Sequence, residues 1–122
     1  MLPFPASVRV YLCASPCDLR KGFDGLSALV DAALGLSSLS GHLFVFTNKR
    51  ADQVRILFAD RTGICVLAKR LAQGTFRRVR SPDGQAYVEV DAAELGLLLE
   101  GIELAGARRR KRWRNPAAAA VP

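Results

Sequence analysis

The chain has little with which to run chemistry. Of its 122 residues, one is histidine, one methionine, one tryptophan and three are cysteine. A general base built on imidazole would rest on His42 alone, and its place at a strand start suits a structural hydrogen-bonding role better. The thiols Cys13, Cys17 and Cys65 are odd in number. Cys13-x-x-x-Cys17 lacks the second pair that a zinc site needs, and Cys65 stands within an apolar run. They read as buried, reduced thiols of a cytoplasmic protein. No apolar run approaches the roughly 20 residues of a membrane span, and no basic region precedes the short apolar start that Pro3 and Pro5 interrupt. Asp18, Asp24, Asp52 and Asp60 show no diagnostic ligand motif for metal-assisted phosphoryl transfer. No metal, cofactor or catalytic residue is assigned, and no enzyme is expected. Repeats are also lacking. The length suits one domain, residues 1–107, followed by a flexible tail, 108–122, basic and then Ala-rich.

What the chain does have is charge, unevenly distributed. Residues 1–48 balance three basic against three acidic side chains. Residues 49–80 carry nine cations, Lys49, Arg50, Arg55, Arg61, Lys69, Arg70, Arg77, Arg78 and Arg80, against Asp52 and Asp60, a local +7 that equals the net charge of the whole chain. Residues 81–107 hold six acids and no Lys or Arg. The tail then brings Arg108, Arg109, Arg110, Lys111, Arg112 and Arg114 around Trp113. Surfaces kept soluble by charge normally mix signs, so nine against two favours a polyanion partner over a merely solvated face. The tail is a second such signal, less specific, and Trp113 has two readings: stacking on a partner or folding back on the domain.

Residues 8–12 are a β-rich run, and Ser15-Pro16-Cys17-Asp18 ends it. Phe23, Leu26, Val30 and Leu34 fall at helical spacing, with Gly35 as the stop. Gly25 inside that helix costs about 1 kcal/mol relative to Ala, which implies close packing. Residues 43–46, 54–58 and 64–71 predict an antiparallel meander, its second turn being Asp60-Arg61-Thr62-Gly63. Residues 76–80 and 86–90 predict a further hairpin around Ser81-Pro82-Asp83-Gly84. Asp91-Ala92-Ala93-Glu94 has the form of a capping box before Leu95, Leu98, Leu99 and Ile102. The expected class is α+β: a mostly antiparallel sheet of about five to six strands, two helices packed on one face. The other face would then display Arg55 and its neighbours as a row of cations.

Two stretches carry a resemblance. One is Asp18-Leu19-Arg20-Lys21-Gly22-Phe23-Asp24-Gly25-Leu26, preceded by Val8-Arg9-Val10-Tyr11-Leu12. The other is Gly41-His42-Leu43-Phe44-Val45-Phe46-Thr47-Asn48-Lys49-Arg50, continuing through Ile56-Leu57, Asp60-Arg61-Thr62-Gly63 and Lys69-Arg70-Leu71. Together they resemble the TnpB-type accessory protein of the insertion sequence sixty-six group of bacterial transposons. The similarity extends through Leu98-Leu99-Glu100-Gly101-Ile102. It implies a mobile-element protein that works beside a separate transposase and carries no catalytic residues. Relatives tend to place aromatics where this chain has Phe58-Ala59 and Ala68. Without those faces, stacking on bases, worth about 1–3 kcal/mol each, gives way to contact with phosphates.

The expected partner is therefore DNA, with transposon ends as the natural target, held by the nine cations of residues 49–80 and by the tail. Arg20, Lys21 and the amides of the helix start offer a phosphate grip; the alternative is that Asp18 simply pairs with Arg20 or Lys21. The competing function is an adaptor docking onto the transposase, through residues 18–26 or the acidic last helix, with no direct DNA role. An RNA-binding regulator is a third reading.

Overall fold

The computed structural model describes residues 7–100. Its elements are β1 (Val10–Cys13), a 3-10 turn (Leu19–Lys21), α1 (Gly22–Ala28) running into a π-turn (Leu29–Ala33), β2 (Leu43–Thr47), β3 (Gln53–Ala59), β4 (Ile64–Arg70), β5 (Tyr87–Val90) and α2 (Ala92–Glu100). They form one five-stranded sheet of order β4-β3-β2-β1-β5. Only β1 and β2 run parallel, with Tyr11 opposite Phe44. Parallel neighbours need a crossover, and α1 provides it. The other three pairings are antiparallel. The expected α+β class and the meander of β2, β3 and β4 are both present.

The helices do not share a face. Val10, Leu12, Leu43, Val45, Val54 and Ile56 join Leu95, Leu98 and Leu99 of α2 in one core. Tyr11, Phe44, Phe46 and Leu57 join Leu26 of α1 and Val30 of the π-turn, with Leu34 just beyond, in the other. Successive strand residues point to opposite faces, so these two sets place α1 and α2 on opposite sides of the sheet. The expectation of a helix-free face is thereby corrected, and the reason lies in the strands. β2 reads Leu-Phe-Val-Phe without a polar alternate, the pattern of a strand buried on both sides.

The second expected hairpin is also absent. Residues 76–80 form no strand; they lie as a strap over the α2 side, with Phe76 buried and Val79 packed on the core. β5 instead pairs with β1, Val10 opposite Val90 and Cys13 opposite Tyr87. The pairing is non-local, and a local turn signal at 81–84 does not report it. The capping box does form: the Glu94 N–H donates to Asp91 Oδ1 at 2.7 Å, and the Asp91 N–H to Glu94 Oε1 at 3.3 Å.

The entry to α1 is shaped by Asp18 and by two glycines of the helix itself. Asp18 caps the 3-10 turn by accepting the Arg20 N–H at 3.0 Å. The chain then reverses at Gly22, whose φ of 69° and ψ of −163° belong to a region that only glycine occupies without strain. Gly25 meets the expected close approach: a Cβ there would lie 2.5 Å from Lys21 Cβ.

Candidate nucleic-acid interface

The site begins with the turn joining β2 to β3. Asn48 organises it. Its Oδ1 accepts the N–H groups of Asp52 and Gln53, both at 3.1 Å, while Nδ2 donates to Asp52 Oδ1 at 2.6 Å. Ala51 closes the turn in the left-handed region, φ 58°, and is buried there. That geometry turns Lys49 and Arg50 outward, both exposed.

Neighbouring segments add cations to the same end of the sheet. The β3–β4 register sets Arg70 opposite Gln53 and Lys69 opposite Val54. The Leu71 N–H donates to the Asp52 carbonyl at 2.8 Å and the Phe76 N–H to the Ala51 carbonyl at 2.6 Å, which laces the following loop to the turn. Arg77 and Arg78 come with it, and the Arg78 guanidinium bonds the Lys49 carbonyl. Lys69 Nζ reaches over to the Leu99 carbonyl of α2 at 3.0 Å. Arg80, two residues beyond Arg78, is exposed.

From the other side of the sheet the Cys17 N–H donates to the Thr47 carbonyl at 2.8 Å, so residues 18–21 stand beside the turn. An open cleft of about 260 Å³ lies between them, lined by Cys17, Asp18, Leu19, Arg20, Asn48, Gln53 and Arg55. Arg55 is half-buried on the α1 side, not displayed on a bare face. Arg20 makes a forked ion pair with Asp18, Nε and Nη2 each 3.0 Å from a carboxylate oxygen. That guanidinium holds the Asp18 carboxyl down to about 2. The ion-pair reading of this motif is thus correct, and Arg20 still keeps 92% of its side-chain surface exposed.

The cations therefore form a cluster at one end of the sheet rather than a row on one face. Arg61 is the exception. It sits in the β3–β4 turn at the far end of the seven-residue β3, about 20 Å away at strand rise. The two ion pairs seen among the described residues, Arg20 with Asp18 and Arg9 with Glu89, use none of Lys49, Arg50, Arg55, Lys69, Arg70, Arg77 or Arg78. The tail cations Arg108 to Arg114, with Trp113, lie outside the described residues.

His42 is structural: its Nδ1 accepts the Arg9 N–H at 2.9 Å, and its ring meets Tyr11 edge-on. All three thiols are half-buried rather than buried, which corrects the expectation for them. Cys65 donates to Asp60 Oδ2 at 3.5 Å. Sequence reasoning missed Gln53 and Cys17 as cleft residues. Neither carries a charge signal, and only the register and the Cys17–Thr47 bond bring them there.

The two family strings now have physical jobs. Asp18 caps, Gly22 reverses the chain, Gly25 admits Lys21, Leu26 is buried, and Asn48 builds the turn. A sequence model of the family described as IS66 Orf2 like protein matches residues 8–109. This chain belongs to the IS66 Orf2-like family. Its relatives include the uncharacterized proteins y4hO and y4jC of Sinorhizobium fredii. The first is 33% identical over 116 residues, covering 95% of this chain and 91% of its own length. The second is 32% identical over 103 residues, covering 84% and 86%. No solved structure matches. The family makes this IS66 Orf2-like chain a transposon-associated accessory protein. Among the described residues no helix is long and apolar enough to cross a membrane.

Proposed function

We propose that this IS66 Orf2-like protein is a non-catalytic, cytoplasmic factor that assists transposition by holding DNA at the basic end of its sheet. The observation that carries the reading is the gathering of Lys49, Arg50, Lys69, Arg70, Arg77 and Arg78 around one turn, with Arg55 lining the adjoining cleft and Arg20 and Lys21 on the arm across it. Six cations on one rigid end offer a phosphate backbone several simultaneous contacts, and each contact releases a counterion. Contacts of this kind position a protein on DNA without reading its sequence. The only aromatic ring of residues 49–80 besides Phe58 is Phe76, which is buried, so phosphate contact is favoured over base stacking. Arg80 and the tail cations extend the same charge along the chain.

Gel-shift titrations on transposon-end duplex at several salt concentrations test the reading. Affinity should fall steeply as salt rises. No binding at low salt would exclude it.

One observation favours an adaptor instead. Phe23 of α1 is 55% exposed beside Lys21 and Asp24, an aromatic side chain suited to a protein partner such as the transposase. Co-purification with the transposase from nuclease-treated lysate distinguishes the two: a complex that survives without DNA and is lost in Phe23→Ala supports the adaptor.

A further inference from the structure

Two thiols meet at the edge of the cleft. Cys13 ends β1, and Cys17 follows across Ala14, Ser15 and Pro16. Their Sγ atoms are 3.7 Å apart. The sheet holds both in place: the Ala14 N–H donates to the Ala86 carbonyl at 2.9 Å, and the Cys17 N–H to the Thr47 carbonyl. Both Sγ atoms also approach the Ser15 carbonyl, at 3.5 and 3.4 Å. Neither thiol is sealed from solvent, and Cys17 lines the open cleft.

The pair is chemically unequal. A hydrogen bond from the Cys17 thiol lowers Cys13 to about 6, against the opposing effect of burial. The same hydrogen bond raises Cys17, which keeps its proton. Thiolate is the reactive form of cysteine, so this polarity suits Cys13 to attack and Cys17 to follow. Cys65 differs: desolvation and the Asp60 carboxylate both push it up.

We propose that Cys13 and Cys17 form an oxidisable dithiol site that takes hydroperoxides, Cys13 attacking and Cys17 closing an intramolecular disulfide. The Cys13 thiolate attacks the terminal peroxide oxygen, the O–O bond breaks, and the alcohol or water leaves with a proton from solvent. Cys13 is then a sulfenic acid. Cys17 sulfur attacks Cys13 sulfur, its proton joins the departing hydroxyl, and water is released. Two thiols are oxidised by two electrons, and one hydroperoxide is reduced. The disulfide would pin the Asp18–Lys21 arm to the end of β1. The site stands on the thiol geometry and is independent of the DNA reading.

The test is a titration of the full, reduced chain with hydrogen peroxide, followed by alkylation, tryptic digestion and mass spectrometry. Cleavage after Arg9 and Arg20 puts both cysteines in one peptide, residues 10–20. That peptide should become lighter by two hydrogens and resist alkylation, reversibly with dithiothreitol, about tenfold faster than Cys65 is lost. In Cys17→Ser, dimedone should trap a sulfenic acid on Cys13. In Cys13→Ser, Cys17 should stay unlabelled. Circular dichroism checks that both variants fold, and the wild-type digest decides alone if they do not. Equal loss of all three thiols, or bridges only between molecules, would overturn the proposal.

Discussion

The two ends of the sheet are built by the same device, yet one concentrates positive charge and the other balances it. At one end Asn48 folds the β2–β3 turn by accepting two backbone N–H groups. At the other, Asp60 folds the β3–β4 turn by accepting those of Thr62 and Gly63, each at 2.9 Å. Both turns expose cations. Yet Arg61 stands as a single cation next to Asp60, whereas Lys49 and Arg50 are joined by cations from β4, the following loop and the arm before α1. A run of charge in sequence thus divides between two places in space, and only one of them concentrates it.

That contrast is open to direct attack. The largest effect should come from reversing charge at the basic end. Lys49→Glu, Arg50→Glu and Arg70→Glu together should lower DNA affinity by about 100-fold at low salt and remove about three units of salt slope, while Arg61→Glu changes either little. Fluorescence anisotropy with labelled duplex reads both.

Next comes Gly22→Ala, which forces a Cβ into φ 69°, ψ −163° and should destabilise by about 1–3 kcal/mol in urea melts. The same variant should weaken DNA binding, because the Asp18–Lys21 arm loses its position. Asn48→Ala and Asp60→Ala sharpen the comparison. Each strips a turn of its side-chain acceptor and should cost about 1 kcal/mol, but only Asn48→Ala should also reduce DNA affinity.

The smallest effect is on acid stability. Asp18 is depressed in the folded chain from its ordinary 3.8 to about 2, so its contribution is present above 3.8 and is lost as pH falls through 2. Asp60 is also depressed, by the Thr62 and Gly63 N–H groups. Asp18→Asn should flatten the stability–pH curve between pH 3.8 and 2, and Asp60→Asn should flatten it below pH 3.8. Thermal melts across that range check it.

Local features of this fold were legible in the sequence. The β2–β3–β4 meander, the Asp60 turn, the Asp91–Glu94 capping box and the tight packing at Gly25 follow from residue types at short range. The distribution of helices over two faces was written in Leu43-Phe44-Val45-Phe46, where no polar residue alternates, but a count of helices obscured it. The β1–β5 pairing and the strap at 76–80 were not legible, since they depend on contacts far apart in sequence. The site followed the same division. Its charges were visible; their meeting at one end depends on the Gln53–Arg70 register and on bonds from Leu71, Phe76 and Cys17. The Cys13–Cys17 contact was hidden for the same reason, because a turn and two sheet bonds fold a spacing of four into a pair.

The most direct test of the basic end is a footprint by amide hydrogen exchange with and without duplex DNA at low salt. Exchange should slow at residues 48–52 and 69–78 and stay unchanged at 60–63. Protection centred on 60–63, or none at 48–52 when the duplex is bound, would contradict the account.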